Sequence, residues 1–168
     1  SKEALLTVFL ICLMALAVPY VFRANYNTRL KKCNEKGDLE GSLNILNSRF
    51  YVYLFGKYTS LSNKLKLYMA TNDIPNIEEI TNQVINGRFS KKEKHEVANR
   101  TFFFFINDGN TEMCKKLLDC LKKVAETDEY EFDRIMYKML IEHNASEDDV
   151  SIVEDMLSNY LVYVSYPL

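Results

Sequence analysis

Two histidines and four cysteines are the side chains of this chain best suited to acid–base catalysis, nucleophilic attack or metal binding. His95 and His143 lie far apart in polar segments, and no recognised motif surrounds either of them. Glu142 and His143 are neighbours, so on a helix they point in different directions, whereas a zinc-binding face uses residues at positions i and i+4. We therefore interpret both histidines as exposed polar residues that bind no metal.

The cysteines also lack the surroundings of a reactive or metal-binding site. Cys114 and Cys120 are six residues apart, whereas paired zinc ligands are usually about two to four residues apart. A cysteine nucleophile needs a base and a cationic environment, and nearby stand only lysines typical of a solvated helix face: Lys115, Lys116, Lys122 and Lys123. The chain contains no phosphate-binding glycine loop, dinucleotide fingerprint or nucleophile elbow. We predict that the protein is not an enzyme and uses no cofactor or small-molecule substrate; a small helical enzyme is the least favoured alternative.

The composition predicts a folded, all-α protein that does not bind nucleic acid. Hydrophobic residues make up 48% of the 168 residues, which is enough for a sizeable core. The 21 basic and 23 acidic side chains nearly cancel, which excludes the broad positive field that nucleic acid requires. Five glycines and three prolines are too few for the tight turns of a β-sandwich or barrel. Apart from Cys12 only three cysteines remain, and three thiols cannot all pair, so reduced thiols are expected.

The N-terminal segment from Ala4 to Phe22 contains nineteen residues and no charge. As a helix it is long enough to cross a hydrocarbon core of roughly 30 Å. Four basic residues follow it, Arg23, Arg29, Lys31 and Lys32. Because positive charge is retained on the cytoplasmic side, we predict a single-pass anchor in residues 1–24, with residues 25–168 forming a cytoplasmic domain.

Two alternatives remain for this segment. The first is a cleaved signal peptide, because Lys2, the apolar stretch and Ala15-Leu16-Ala17 resemble the three parts of such a signal, and the protein would then be secreted. The second is a buried core helix of a soluble protein, which Pro19 would kink or end.

Polar turn signals recur along the rest of the chain at a nearly constant spacing. They are Lys36-Gly37-Asp38, Thr71-Asn72-Asp73, Asp108-Gly109-Asn110 and His143-Asn144-Ala145. Gly37 and Asn72 are 35 residues apart, Asn72 and Asp108 are 36 apart, and Asp108 and His143 are 35 apart. Helical patterns flank each signal, so the sequence predicts antiparallel helix pairs that stack to form a continuous core.

Local signals predict where individual helices begin and end. Asp38 is placed to cap a helix, Gly56 and Gly87 to interrupt or end one, and Ser90 with Glu93 to form a capping box. Ser146 with Asp149 caps the final helix, whose inner face is predicted to contain Val150, Val153, Leu157 and Tyr160. A preceding helix has the apolar stripe Phe132, Ile135, Met136, Met139 and Leu140. The run from Phe102 to Ile106 fits a buried strand or a helix, and the upstream cap favours the helix.

With these turns the chain resembles a tetratricopeptide-repeat (TPR) protein, whose unit of about 34 residues is a helix–turn–helix. Gly37-Asp38 and Gly109-Asn110 match the turn of that unit, while Cys114 and Leu118 match its small and large apolar positions. The resemblance runs from Arg29 to Tyr160. It implies a TPR-like right-handed solenoid with a concave face that holds peptides or partner helices.

Aromatic residues are the candidates for partner binding. Tyr51, Phe55 and Tyr58 share one helix face, and Tyr160 and Tyr163 lie in an apolar C-terminal segment. We predict a non-catalytic protein–protein interaction module, acting as a membrane-anchored adaptor or as an accessory subunit of a membrane complex. The alternative is a soluble helical-repeat protein that senses peptides or has a regulatory role.

Overall fold

The computed structural model describes residues 2–164, without the side chains of Leu16 and of residues 159–164, and all the regular structure in that range is helical. The helices are α1 (Lys2–Glu35), α2 (Leu39–Asn47), α3 (Arg49–Phe55), α4 (Lys57–Ala70), α5 (Ile74–Asn86), α6 (Lys91–Asp108), α7 (Thr111–Val124), α8 (Thr127–Tyr137) and α9 (Glu147–Val164). A π-helical turn, Lys138–Glu142, extends α8. The predicted all-α class is confirmed.

The chain divides into two compact units, Ser1–Ile77 and Glu78–Leu168. The predicted division between residues 24 and 25 lies inside α1, which continues without a break to Glu35 and contains Pro19. In the first unit α1 packs against α2 and α3, and both of these pack against α4. In the second unit α6 packs against α7, α7 against α8, and α8 against α9.

The two halves of α1 have different surroundings. Its N-terminal half contains an 18-residue window with a mean hydropathy of 2.6, and none of that window is buried. Large apolar side chains are open there, including Leu5, Phe9 and Met14 at 77%, 60% and 68% exposure. This helix is therefore long and apolar enough to span a membrane or to act as a signal sequence.

The C-terminal half of α1 belongs to the core of the first unit. Tyr26, Leu30 and Cys33 are partly buried and pack against a cluster in α2 and α3 that consists of Ile45, Leu46 and Tyr51. One helix thus carries an unpacked apolar half and a packed half.

Three of the four predicted turns share one hydrogen-bonding pattern. Each has a left-handed residue, Gly37, Asn72 or Gly109, with φ of 67°, 54° and 73°. The next residue donates its amide to the carbonyl five positions back, at 2.9–3.0 Å: Asp38 to Cys33, Asp73 to Tyr68 and Asn110 to Phe105. The side chain of that same residue then accepts a hydrogen bond from the backbone amide three positions later, and so caps the following helix. The recurring turn is therefore present in the backbone.

The fourth turn is built differently. His143 is left-handed, with φ of 53°, but it follows the π-helical turn, and the Asn144 amide donates to the Lys138 carbonyl at 3.2 Å. The wider π-turn shifts the side chains after Tyr137 from α-helical spacing. Leu140 of the predicted apolar stripe is consequently 46% exposed, whereas Asp133 and Tyr137 are buried beside Ile135.

The helix starts and stops predicted elsewhere are confirmed with one addition. The capping box of Ser90 and Glu93 opens α6, and the phenylalanine run lies within this helix. α5 ends at Asn86, just before Gly87, and Gly56, with φ of 90°, separates α3 from α4. A further break at Ser48 was not predicted, and it divides α2 from α3.

The inner face of α9 differs from the prediction. Of its described apolar positions only Val153 is buried, while Val150 and Leu157 are 36% and 49% exposed. Asp149 takes the buried position instead, because its carboxylate accepts hydrogen bonds from the Ser146 amide at 3.0 Å and from Lys138 Nζ at 3.1 Å. These partners lower the pKa of Asp149 to about 2.

Candidate binding surfaces

The predicted aromatic face of Tyr51, Phe55 and Tyr58 is only partly at the surface. Tyr51 is 1% exposed, its ring stacks on Phe55 at 4.4 Å, and its hydroxyl accepts a hydrogen bond from Asn63 at 3.2 Å. Tyr51 is therefore a core residue, because the break at Ser48 turns this face of α3 inward. Phe55 and Tyr58 are half-buried, and their role in partner binding stays a prediction. The side chains of Tyr160 and Tyr163 lie outside those that the structure describes.

The two histidines differ in their surroundings. His143 is exposed at the end of the π-helical turn, as predicted. His95 is not an exposed polar residue: it is half-buried, and its Nε2 lies 2.8 Å from Glu129 Oε2. Sequence reasoning missed this pair because its members are 34 positions apart, in α6 and α8.

A polar stripe on α8, formed by Glu129, Asp133 and Tyr137, faces into the second unit. Asp133 and Tyr137 are 2% and 4% exposed, and neither Asp133 Oδ2 nor the Tyr137 hydroxyl has a hydrogen-bond partner among the described residues. Burial raises the pKa of Asp133 to about 7, the charge of Glu129 adds to this shift, and His95 opposes it. Such a group can hold a proton near neutral pH. In the described part of the chain no cluster of three His, Cys, Asp or Glu side chains is arranged to hold a metal ion.

Neither thiol of α7 has the features of an activated nucleophile. Burial raises the pKa of Cys114 to about 11. Burial also raises the pKa of Cys120, although the ammonium groups of Lys94 and Lys123 oppose this shift. Both thiols are therefore protonated at neutral pH and are weak nucleophiles.

The same two lysines border an open groove between the end of α5 and the helices α6 and α7. We call this the lysine groove; it has a volume of about 440 Å³ and is lined by Ile85, Asn86, Phe89, Lys91, Lys94, Lys116, Asp119, Cys120, Lys123 and Val124. Lys116 pairs with Glu112 at 2.7 Å. Lys91, Lys94 and Lys123 form no ion pair among the described residues.

The lysine groove combines an apolar floor with a positive rim. Ile85 is buried, Phe89 and Val124 are half-buried, and Lys91 and Lys123 are exposed. Asp119 is the single carboxylate among four lysines. A groove of this size and character can accept an apolar side chain that is flanked by carboxylates.

Helix geometry explains why the lysine groove is not evident from sequence. Lys91 and Lys94 are three positions apart on α6, and Lys116 and Lys123 are seven apart on α7, so each pair shares one helix face. Each pair alone is typical of a solvated face. Only the packing of α6 against α7 brings the pairs to one groove.

Comparison of the chain with protein-family models, with the curated proteins and with the solved structures finds no match in any of the three.

Proposed function

We propose that the protein is a single-pass membrane protein whose helical body lies in the cytoplasm and binds an acidic segment of another protein, without catalysis. The observation that carries this proposal is the contrast along α1. Its second half is packed into the first unit, whereas none of the apolar window in its first half is buried. Patches of this size on soluble proteins mark membrane or protein contacts.

Membrane insertion accounts for the exposed half of α1 in energetic terms. Moving a large apolar side chain out of water is favourable by about 1.5–3 kcal/mol of free energy. Most of the segment from Leu5 to Phe22 consists of such residues. The helix satisfies its own backbone hydrogen bonds, as a lipid environment requires. The basic residues from Arg23 to Lys32 support a cytoplasmic position for the body.

The three equivalent turns support an arrangement of the helices as TPR-like antiparallel pairs. Each turn combines a left-handed residue with a following Asp or Asn side chain that caps the next helix. Repeated turns of one geometry favour a stacked, right-handed solenoid of helix pairs, which is an architecture that binds peptides.

The lysine groove supports an acidic peptide segment as the partner. Lys91, Lys94 and Lys123 have no carboxylate partner among the described residues, so they are available to pair with a ligand. The apolar floor of Ile85, Phe89 and Val124 favours a segment with one large apolar side chain between acidic residues. The raised thiol pKa values and the lack of a nucleophile motif support a non-catalytic role.

A charge-reversal experiment tests the groove. The probe is a panel of fluorescein-labelled pentapeptides that place Phe or Leu between acidic residues, measured by anisotropy with the full chain in lipid nanodiscs. Lys94→Glu and Lys123→Glu are each expected to weaken binding about tenfold, because they replace an attractive contact with a repulsive one. Binding to the unmodified chain is expected to weaken as salt rises.

The matched controls are the neighbouring lysines outside the groove. Lys92→Glu and Lys122→Glu make the same change of charge on the same two helices, at exposed positions that do not line it. They are expected to leave the affinity nearly unchanged. Equal losses in the controls, or no binding of any acidic peptide, would contradict the assignment of the lysine groove.

A further inference from the structure

A row of aromatic side chains extends sideways from α1 at the end of its apolar half. The ring of Phe22 meets Phe50 of α3 edge-to-face at 5.2 Å, and the ring of Tyr53 stacks on Phe50 at 6.4 Å. We call Phe22, Phe50 and Tyr53 the aromatic collar. All three are open to solvent, at 45%, 42% and 82% exposure. The collar thus continues the exposed apolar surface of α1 onto a second helix.

The level of α3 along α1 is fixed by an arginine. Arg23 donates from Nε and Nη2 to the Leu54 carbonyl at 3.0 and 2.8 Å, and its guanidinium lies 5.9 Å from the centre of the Phe55 ring. The Leu54 carbonyl is near the C-terminal end of α3, where carbonyl groups have no partner within the helix. These bonds hold the end of α3 beside the first charged residue after the apolar segment.

We propose that the aromatic collar lies in the headgroup region of the membrane, so that α3 is a second, interfacial contact of the first unit with lipid. This inference rests on the proposed insertion of α1. If the hydrocarbon core ends near Phe22, Phe50 and Tyr53 stand at the same depth, where aromatic side chains are favoured. Arg49, the first residue of α3, and Lys57, two positions after its end, are exposed and supply cations that can bind lipid phosphates.

Lipid fits the collar better than a protein partner because of this continuity. Phe50 and Tyr53 are joined through ring contacts to Phe22, which is the last residue of the apolar segment. An occupant that covers the apolar half of α1 therefore reaches the collar without a gap. The amphipathic tyrosine at the outer end, with its polar hydroxyl, is typical of an interface position.

Tryptophan fluorescence can measure the depth, because the chain contains no tryptophan and one substitution gives a single reporter. Tyr53→Trp is placed in vesicles of phosphatidylcholine and phosphatidylglycerol that contain lipids brominated near the headgroup or deep in the acyl chain. The expected result is a blue-shifted emission that shallow bromines quench more than deep ones. The site is 82% exposed, so the fold should tolerate the change.

Two further tyrosine-to-tryptophan substitutions provide reference values for quenching inside the membrane and away from it. Tyr20→Trp reports on the apolar segment itself, where the side chain is 76% exposed. Tyr68→Trp reports from the opposite end of the first unit, because Leu67 and Thr71 line a groove with Asn34 at the end of α1. Asn34 is twelve residues beyond Phe22, or about 18 Å along a helix. Tyr68→Trp is therefore expected to be unquenched.

The outcomes separate this inference from the anchor on which it depends. If Tyr20→Trp is quenched while Tyr53→Trp is quenched no more than Tyr68→Trp, the anchor stands and the collar does not contact lipid. A blue-shifted Tyr53→Trp that bromine does not quench would mean that protein covers the collar, which also overturns the inference. If Tyr20→Trp is not quenched, the membrane proposal itself fails.

Discussion

Replacing Asp133 with asparagine is expected to stabilise the second unit increasingly as the pH rises from 4 to 8. Burial raises the pKa of Asp133 from 3.8 to about 7, so the folded state holds a proton that the unfolded state has lost. Asparagine resembles the protonated acid and does not ionise. The substitution should therefore remove the free-energy cost of keeping or ionising a buried carboxyl, which grows as the pH rises.

The sign and size of this change in the free energy of unfolding follow from proton linkage. Between pH 4 and 7 the folded state binds more protons at Asp133 than the unfolded state, so raising the pH lowers the free energy of unfolding. A shift of about three pKa units corresponds to about 4 kcal/mol at most, and the loss is complete above pH 7. The nearby charges, Glu129 on α8 and His95 on α6, act in opposite directions on this shift.

Cysteine labelling can report the stability of the second unit alone. Cys114 is fully buried, so in a variant with Cys12, Cys33 and Cys120 replaced by serine or alanine it reacts with a maleimide only after unfolding. Labelling in increasing urea at pH 5 and pH 8 gives the two free energies. Asp155→Asn, at an exposed position on α9, is the matched control. If Asp133→Asn raises the free energy of unfolding by the same amount at both pH values, the assignment of a buried, protonated carboxyl is contradicted.

Phe102→Ala and Phe105→Ala are expected to destabilise the second unit by about 3–5 kcal/mol each, because both side chains are fully buried and leave cavities. Phe103 and Phe104 are half-buried, so alanine there should cost clearly less. The same labelling of Cys114 in urea measures all four variants.

This alanine scan distinguishes a helix from a strand. In a helix, residues three apart share a face, so Phe102 and Phe105 act together. In a strand, alternate residues share a face, so Phe102 would instead resemble Phe104. Large losses at Phe102 and Phe104, with small ones at Phe103 and Phe105, would contradict the helical assignment of this run.

The turns and helix caps could be predicted from the sequence because their causes are local. Asp38, Asn110 and Ser90 each accept a hydrogen bond from an amide only three positions later, and Gly37 and Gly109 adopt the left-handed conformation that glycine tolerates best. Each of these hydrogen bonds joins residues that are only three positions apart. Local chemistry alone therefore fixed the positions of the recurring turns.

Features that depend on distant residues were not predictable in this way. The break at Ser48 turns Tyr51 into the core, although helical spacing placed it with Phe55 and Tyr58 on a face predicted to bind a partner. The π-turn after Tyr137 likewise leaves Leu140 exposed, although the predicted apolar stripe placed it on the inner face. In both cases a small change in backbone geometry shifts every later side chain to another face.

The polar stripe on α8 did leave a signal in the sequence. Glu129, Asp133 and Tyr137 recur every four residues, which places them on one helix face. Only the structure shows that this face is the inner one and that His95 lies opposite Glu129. The lysine groove likewise requires the packing of α6 against α7.

The central claim is that α1 anchors the chain in a membrane with its body in the cytoplasm. The most direct test expresses the full chain in bacteria, extracts the membranes with alkaline carbonate and treats inverted membrane vesicles with protease. We predict that the chain remains in the pellet and that the region after Arg23 is digested in the inverted vesicles. Release of the chain into the carbonate supernatant would contradict the anchor, and protection of that region in the vesicles would contradict its cytoplasmic orientation.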